Sequence, residues 1–373
     1  MEFKKDLMGL FRRLSSAEQE KAGMLNNYLT EVEIDEVIKS LKRKDISLST
    51  YNLSFMDSFI AINPAHQYND KIRKKVFQNF SKVAFEVIPK FIAPNIMDVD
   101  LIKQTALLQV VSNERIHMLL IGDPGTGKTK IIHSSSNLSP INSFGLGSGT
   151  SGVGLALTMK GKEMSRGLLP LAHNGVCALD ELNLMKKEDS ALLLNAMESG
   201  FITYVKGGNN IRLDTNVKVL ATANPKGDKF VGKNILSLKK QMPFDSALLT
   251  RFHLVFLLRK PGHKKFMKIT ENLINNAGAE IKEYDLDFIK EYIKYAKENI
   301  GEVRFDKQFK DKVSNSISKI KKNEDKYLID VSPRLVIGLI RLAKASARLE
   351  LRDYVIERDV DRAINILDNS LVY

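Results

Sequence analysis

The spacing of apolar residues changes twice along the chain, and these changes divide it into three parts. Over residues 1–88 apolar positions recur at helical spacing, as in Phe3 to Leu14. Over residues 89–275 short apolar runs alternate with helical stretches and glycine-rich turns, a pattern that predicts an α/β domain with a mainly parallel sheet flanked by helices. Helical spacing returns over residues 276–373. We therefore expect an N-terminal helical region, an α/β core and a C-terminal helical domain.

Individual elements are predicted within these parts. The clearest strands are His117–Gly122, Val176–Leu179, Val217–Thr222 and Leu254–Leu258. Helices are expected near residues 285–299, 306–322, 333–351 and 357–371. Pro333 suits the first turn of a helix, and Ser332 is the predicted N-cap.

A glycine-rich loop follows the first predicted strand. Gly122 to Thr129, with the sequence GDPGTGKT, matches the pattern G-x-x-x-x-G-K-[ST] at every fixed position. Such a loop turns backbone N–H groups toward phosphate oxygens, and the following helix adds positive charge. Lys128 is expected to reach the β- and γ-phosphates of ATP, and Thr129 to give a hydroxyl to Mg²⁺. The predicted nucleotide-binding residues are Asp123, Pro124, Gly125, Thr126, Gly127, Lys128, Thr129 and Lys130.

Two other strands end in polar side chains. The strand Val176–Leu179 runs directly into Asp180 and Glu181, and Asn224 follows the strand that ends at Thr222. We expect Asp180 to hold the Mg²⁺ shell, Glu181 to polarise the attacking water and Asn224 to orient it. Paired acids at a strand end can also be a solvated cap, and Asn-Pro alone is a turn signal. Their position after the phosphate loop favours the hydrolytic interpretation.

A second glycine string needs a separate interpretation. Gly147 to Gly152 fits G-x-G-x-x-G literally, but it lacks a convincing preceding strand and a well-placed acid to bind a ribose. We interpret it as a flexible loop and not as a dinucleotide site.

Composition narrows the class of protein. The chain has 57 Lys and Arg against 44 Asp and Glu, a net charge of +13 that favours a polyanionic partner, although lysine-rich chains also arise without a local cause. The single cysteine, Cys177, lies in an apolar run and is a predicted core residue, which leaves no internal disulfide. Apolar runs are too short to span a bilayer and the first residues do not resemble a signal peptide, so we expect an intracellular protein, cytoplasmic or nucleoid-associated in a prokaryote.

Five segments between Pro94 and Leu371 together resemble the AAA+ ATPase domain of the minichromosome maintenance (MCM) replicative helicases. They are Pro94 to Gln109, Gly175 to Met185 with Ala196 to Ser199, Thr222 to Pro225, Phe244 to Phe256, and Ser332 to Arg334 with Leu339 to Arg348 and Asp359 to Ile364. The resemblance implies a P-loop AAA+ core over 89–275 and a helical AAA+ lid over 276–373. The sequence of residues 1–88 indicates no particular function.

The resemblance also implies a division of catalytic roles between subunits. Arg251 matches the arginine finger that enters the site of a neighbouring subunit, and Arg334 matches the sensor-2 arginine. The implied catalytic residues are Lys128, Asp180, Glu181, Asn224, Arg251 and Arg334. A finger that acts in trans requires an oligomer, and the family precedent is a hexameric ring.

A DNA-binding surface is implied by two insertions. Ile202 to Leu213 alternates like a strand, turns at Gly207-Gly208 and alternates again, which predicts a β-hairpin. It matches the family's hairpin before sensor 1, which lines the channel and grips DNA, and Leu155 to Arg166 matches a second channel loop. The implied contacts to DNA phosphates are Lys206, Arg212, Lys160 and Lys162. Single-stranded or forked DNA is the expected partner.

The chain departs from the family at several positions. Gly127-Lys-Thr129 stands where Ala-Lys-Ser is usual, Asp98 where glycine is usual, and His253 where an aspartate follows the finger. Val336-Ile337 replaces leucine and glutamate in the lid. Residues 1–88 show no oligonucleotide-binding barrel and no zinc ribbon, and a C-terminal winged helix is not expected, so we interpret the chain as a compact form.

Three functions fit these observations. The favoured one is an ATP-dependent DNA helicase or translocase of the MCM type. The second is an AAA+ ATPase of the MoxR or magnesium-chelatase kind that remodels a protein complex, which the generic Gly-Lys-Thr sequence favours and the finger and lid segments oppose. The third is a non-catalytic MCM paralogue that joins a ring.

Overall fold

A computed structural model describes residue 74 and the ranges 76–148, 152–160, 163–206, 209–227, 229–232, 235–275, 283–327 and 331–370. The predicted N-terminal helical region therefore lies mostly outside the described residues. Its described part is helical over 76–80 and again in α1 (Ala84–Val87).

The strands form one central sheet and two hairpins. They are β1 (Met118–Gly122), β2 (Asn142–Leu146), β3 (Leu157–Lys160), β4 (Glu163–Arg166), β5 (Val176–Asp180), β6 (Phe201–Lys206), β7 (Asn209–Asp214), β8 (Lys218–Ala223) and β9 (Leu254–Leu258). The central sheet has five strands in the order β2-β5-β8-β1-β9, and all four pairings are parallel. The expected α/β class with a parallel sheet is confirmed.

Helices surround this sheet and make up the C-terminal part. They are α2 (Asp100–Val111), α3 (Lys128–Ser136), α4 (Gly152–Ala156), α5 (Leu168–Leu171), α6 (Lys187–Ser199), α7 (Ile235–Lys240), α8 (Ser246–Leu249), α9 (His263–Asn275), α10 (Glu283–Asn299), α11 (Lys310–Lys322), α12 (Pro333–Leu349) and α13 (Glu357–Ser370). Among the described residues, no helix is both long enough and apolar enough to cross a membrane.

The three inner strands are buried along their whole length, as parallel strands covered on both faces must be. Helix α3 packs on β1, β5 and β8, and α13 packs on β9. Cys177 is fully buried in β5, so its prediction as a core residue is confirmed, and burial raises the pKa of its thiol to about 11.

All four predicted strands of the central sheet are confirmed to within one residue, and β2 is the strand of this sheet that the sequence did not predict. Its sequence, Asn-Ser-Phe-Gly-Leu, has neither continuous apolar character nor clear alternation. It forms because β5 offers an edge, and the pairing runs from Asn142 opposite Val176 to Leu146 opposite Asp180. At α12, Pro333 is the first helical residue as expected, but the Ser332 side chain makes no capping hydrogen bond.

The predicted hairpin at Ile202 to Leu213 is confirmed, and the segment Leu155 to Arg166, which was predicted as a loop, also contains an antiparallel strand pair. In β6–β7, Phe201 lies opposite Asp214 and Lys206 lies opposite Asn209. In β3–β4, Leu157 lies opposite Arg166. The turn residues 161–162 and 207–208 are outside the described residues.

An ion-pair cluster attaches the C-terminal helices to the core. Glu114, just after α2, lies 3.3 Å from Nε of Arg341 and 3.2 Å from Nζ of Lys344, both on α12. Arg341 also donates a hydrogen bond to the carbonyl of Arg115. These contacts fix α12 against the core and so position Arg334 in its first turn.

Candidate nucleotide site

The site is built where three neighbouring strands end. Strands β5, β8 and β1 lie side by side and run in the same direction, so their carboxyl ends meet at one edge of the sheet. The phosphate loop follows β1, the acid pair straddles the end of β5, and Asn224 follows β8. Crevices at the carboxyl edge of open α/β sheets are the usual place for ligands.

The phosphate loop is held open by two glycines in the left-handed region. The φ angles are 77° at Gly125 and 83° at Gly127, and α3 begins at the next residue, Lys128. Nζ of Lys128 donates hydrogen bonds to the carbonyls of Gly122 and Asp123, both at 2.8 Å. Burial lowers the pKa of this ammonium group to about 8.

A cleft of about 350 Å³ opens over this loop. Its lining residues are Ile96, Pro124, Gly125, Thr126, Gly127, Lys128, Thr129, Lys130, Asp180, Glu181, Thr222 and Asn224. The structure thus brings the loop, the acid pair and the strand-end amide together around one volume. Thr129 and Lys130 are exposed at the start of α3.

A hydroxyl bridge links the acid pair to the neighbouring strand. Thr222 donates a hydrogen bond to Oδ1 of Asp180 and accepts one from the N–H of Glu181 at 3.0 Å. Glu181 has a φ of 52°, a left-handed conformation that is unfavourable outside glycine and is often concentrated at functional sites. Asn183 accepts a hydrogen bond from the N–H of Asn224 at 2.9 Å, which joins the two strand ends again.

Asp123 differs from its neighbours in the loop because its carboxylate points away from the cleft. Oδ1 accepts a hydrogen bond from the N–H of Phe230 at 2.9 Å, and Oδ2 accepts one from the N–H of Lys260 at 3.1 Å. The side chain is buried. It ties the phosphate loop to two other segments, while its predicted contact with nucleotide stays a prediction.

A second cleft of about 530 Å³ adjoins the first and shares part of its lining. Its lining residues are Asn95, Ile96, Met97, Asp98, Val99, Ile102, Gly125, Thr126, Leu257, Leu258, Arg259, Lys260, Pro261, Phe266 and Ile269. The mixture of apolar walls and a few polar groups suits a flat heterocycle such as a nucleobase. Asp98, which stands where the family usually has glycine, adopts a φ of 59°, a conformation that aspartate tolerates better than most residues.

The predicted arginine finger, Arg251, and the predicted sensor-2 arginine, Arg334, lie elsewhere. Among the described residues that line the two clefts, neither Arg251 nor Arg334 occurs. Both contact Glu198 at the end of α6, and Arg334 also donates a hydrogen bond to the carbonyl of Thr250 at 2.8 Å. The two guanidinium groups therefore belong to one surface of the protomer.

His253, which stands where the family has an aspartate, is a buried structural residue. Its Nδ1 accepts a hydrogen bond from the N–H of His117 at 3.1 Å, and Nη1 of Arg341 lies 3.2 Å from its Nε2. Burial, followed by the charge of Arg341, lowers its pKa to about 3. The ring therefore stays neutral and joins β1 to α12 without a charge of its own.

The predicted DNA contacts are at or near the ends of the hairpin strands. Lys206 and Lys160 are the last residues of β6 and β3, and Lys162 lies outside the described residues. Arg212 is exposed, and its guanidinium lies 3.9 Å from the centre of the Phe201 ring and 3.8 Å from a carboxylate oxygen of Asp214.

Several residues of the site were missed from the sequence. Thr222, Asn183 and Glu198 act through contacts with residues far away in the chain. Gly147, interpreted as part of a flexible loop, donates its N–H to the carbonyl of Asp180 at 2.7 Å, and a Cβ there would lie 2.2 Å from the carbonyl oxygen of Glu181. Gly147 is needed because the two backbones approach closely there. The glycine pattern alone does not distinguish this requirement from a need for flexibility.

A parallel sheet with these three strand ends, followed by a helical domain, defines a P-loop domain of the AAA+ class. The model of the MCM P-loop domain matches residues 73–276, and that of the MCM AAA-lid domain matches residues 287–371. The chain belongs to the MCM family.

Its relatives include the DNA replication licensing factor MCM4 of Arabidopsis thaliana, 29% identical over 80% of this chain and 38% of the relative. The minichromosome maintenance protein MCM of Saccharolobus solfataricus is 28% identical over 68% of this chain and 38% of its own length. A probable DNA helicase, MCM9 of Oryza sativa subsp. indica, is 31% identical over 68% of this chain and 39% of its own length. The chain spans less than half of the length of each of these relatives.

Gly127 and Ile96 give a first prediction. A Cβ at position 127 would lie 2.6 Å from Cδ1 of Ile96, and the φ of 83° is itself unfavourable for alanine. We expect Gly127→Ala to weaken ATP binding by about tenfold or more, which corresponds to ~1.4 kcal/mol or more. Adding Ile96→Ala should recover part of the loss, because it removes the overlap but not the backbone strain. Isothermal titration of the four combinations measures the coupling, and a double variant that binds no better than Gly127→Ala contradicts it.

Lys128 gives a second prediction, on pH. Its pKa is lowered from 10.5 to about 8, so the charged form that attracts phosphate is lost as pH rises through that value. ATP affinity should hold near pH 7 and fall by about tenfold at pH 9. Fluorescence titration across this range measures the change, and the weak residual affinity of Lys128→Ala should not vary with pH. A wild-type affinity that is constant up to pH 9 contradicts the prediction.

Proposed function

We propose that the protein is an MCM-type ATP-dependent DNA translocase or helicase that hydrolyses ATP at the subunit interfaces of a ring. One observation carries the proposal. The phosphate loop, the acid pair and Asn224 surround one cleft, whereas Arg251 and Arg334 lie together outside it. A protomer with this arrangement needs the arginines of a second protomer to complete its site.

Within the cleft, the residues present suit a triphosphate with Mg²⁺. Lys128 and the N–H groups at the start of α3 supply positive charge for the phosphates. The exposed Thr129 and the carboxylate of Asp180 supply oxygen ligands, and Mg²⁺ commonly takes one or two protein oxygens alongside substrate phosphates. Bound there, Mg²⁺ would neutralise charge between the β- and γ-phosphates.

The hydrolytic water would be handled by two side chains held in place from the sheet. Glu181 is fixed at its backbone by Thr222, has a left-handed conformation and lines the cleft. Asn224 is held through its N–H by Asn183. With Glu181 as the polarising base and Asn224 orienting the water, the γ-phosphate is attacked from the side opposite the leaving group.

Relatives and charge support DNA as the polymer that the ring moves along. The rice relative carries the name probable DNA helicase, and the plant relative is named as a DNA replication licensing factor. The chain has a net charge of +13, and the β6–β7 hairpin carries Lys206 and Arg212. Lysine and arginine on such hairpins hold the backbone phosphates without regard to sequence.

We also propose the division of the chain into an ATPase core over residues 89–275, a lid over 276–373 and a preceding region over 1–88. The support is that, among the described residues, the strands and both clefts lie within the first of these ranges. Ion pairs of Glu114 with α12 join core and lid.

A third prediction tests catalysis between subunits. Lys128→Ala and Arg251→Ala should each abolish turnover, because one lacks the phosphate contact and the other the trans arginine. Mixing the two proteins should restore activity at about a quarter of the interfaces, where an intact loop meets an intact arginine by random assembly. Phosphate release measured against mixing ratio tests this. Monomeric wild-type protein that hydrolyses ATP at the full rate, with no rescue in the mixture, refutes the proposal.

A fourth prediction tests the DNA contact. Single-stranded DNA should stimulate hydrolysis. DNA binding should weaken steeply as the salt concentration increases, because binding releases counterions from the DNA and added salt opposes that release. Lys206→Ala should lose most of the stimulation and keep the basal rate. Lys310→Ala, which removes an exposed lysine from α11, is the matched control and should keep both. If DNA does not change the rate of ATP hydrolysis by the wild type, the result instead favours an AAA+ remodeller of protein complexes.

A further inference from the structure

Arg251 and Arg334 share one carboxylate in the free protomer. Oε2 of Glu198 lies 2.5 Å from Nη2 of Arg251, and Oε1 of the same side chain lies 3.5 Å from Nη2 of Arg334. Each oxygen thus serves one guanidinium group. The acid is half exposed and the arginines are about three-quarters covered, with exposed side-chain fractions of 50%, 26% and 30%.

Two further hydrogen bonds hold the cluster of Glu198, Arg251 and Arg334 in place. Arg334 reaches across from α12 to the carbonyl of Thr250, the residue before Arg251. Arg115, which precedes β1, donates a hydrogen bond from Nη1 to the main-chain carbonyl of Glu198 at 3.1 Å. Nε of Arg251 is buried and has no hydrogen-bond partner among the described residues, so Glu198 is the group that orients this guanidinium.

The carboxylate of Glu198 offsets the repulsion between the two arginines. Two guanidinium groups side by side repel each other, and burial together with the charge of Arg251 lowers the pKa of Arg334, which Glu198 counteracts. Glu198 is also the penultimate residue of α6, where a negative charge opposes the helix dipole. An acid at an unfavourable helix end, between two arginines, indicates that its contacts with them outweigh that cost.

We propose that Glu198 is a positioning residue of this ATPase, which holds Arg251 and Arg334 side by side so that both can reach the triphosphate bound by a neighbouring protomer. The proposal rests on the function inferred above. A triphosphate carries more negative charge than one carboxylate, so the arginines can exchange Glu198 for phosphate when a loaded neighbour docks. Without the carboxylate, the two groups separate before docking and must be realigned each time.

Glu198→Gln tests the proposal because it keeps the shape of the side chain and removes its charge. We expect turnover per site to fall by about tenfold, a loss typical of a misplaced catalytic group, while the protomer's own ATP affinity stays unchanged. The defect should affect hydrolysis at the site of the neighbouring protomer, which receives the arginines that Glu198 holds. Mixed in equal amounts with Lys128→Ala, whose arginines are intact, the variant should rise to about a quarter of the wild-type turnover, because about a quarter of the interfaces then pair an intact loop with aligned arginines. Mixed with Arg251→Ala, it should not recover.

Two further variants separate positioning from folding. Glu188→Gln, which removes an exposed acid from the same helix, should behave as wild type in turnover and thermal midpoint. Glu198→Asp keeps the charge at shorter reach and should retain more activity than Glu198→Gln.

The outcomes distinguish this proposal from the function on which it depends. A Glu198→Gln protein that turns over at or above the wild-type rate overturns the positioning role. So does a defect that Lys128→Ala does not rescue, when the same partner rescues Arg251→Ala. Failure of Arg251→Ala itself to be rescued refutes catalysis in trans, and the role of Glu198 with it.

Discussion

The parallel register of β5, β8 and β1 is the constraint on which the rest of the site depends. Leu179 lies opposite Ala221 and Ile121 opposite Ala223, so the strands end almost level and Thr222 comes within hydrogen-bond reach of Asp180. A slip of one residue would turn each side chain to the other face of the sheet. Such a slip would separate Thr222 from Asp180 and from the N–H of Glu181, and would leave buried polar groups without these hydrogen bonds.

Under the proposed function, the same sheet edge holds only part of the catalytic site within one protomer. The sheet edge gathers the groups that hold phosphate and polarise water, while Glu198 gathers the arginines at a different surface. Electrostatic stabilisation of the transition state is usually the largest contribution to catalysis. When the arginines that stabilise the transition state lie on a separate surface, hydrolysis depends on contact between subunits. Such dependence allows a ring to hydrolyse ATP at its sites in an ordered sequence.

The sequence predicted the contiguous features well and the distant contacts poorly. A strand, a glycine loop and a helix follow one another in the chain, so the GDPGTGKT segment carries its own context, and so does the strand that ends in Asp180 and Glu181. Thr222 and Glu198 work through partners more than forty positions away. Strand β2 was missed because its stability comes from the edge of β5 and not from its own composition.

Two of the departures from the family, Gly127 and His253, can be understood from the side chains around them. Alanine at position 127 would press on Ile96, which lines both clefts, so the glycine lets this side chain close over the phosphate loop. His253 replaces an acid but stays neutral, and it stands beside Arg341, whose charge Glu114 balances from the other side. In both places the residue fits the neighbouring side chain that it contacts. The glycine leaves room for Ile96 beside the phosphate loop, and the neutral imidazole adds no charge beside Arg341, so each residue is compatible with the geometry that the strand ends have here.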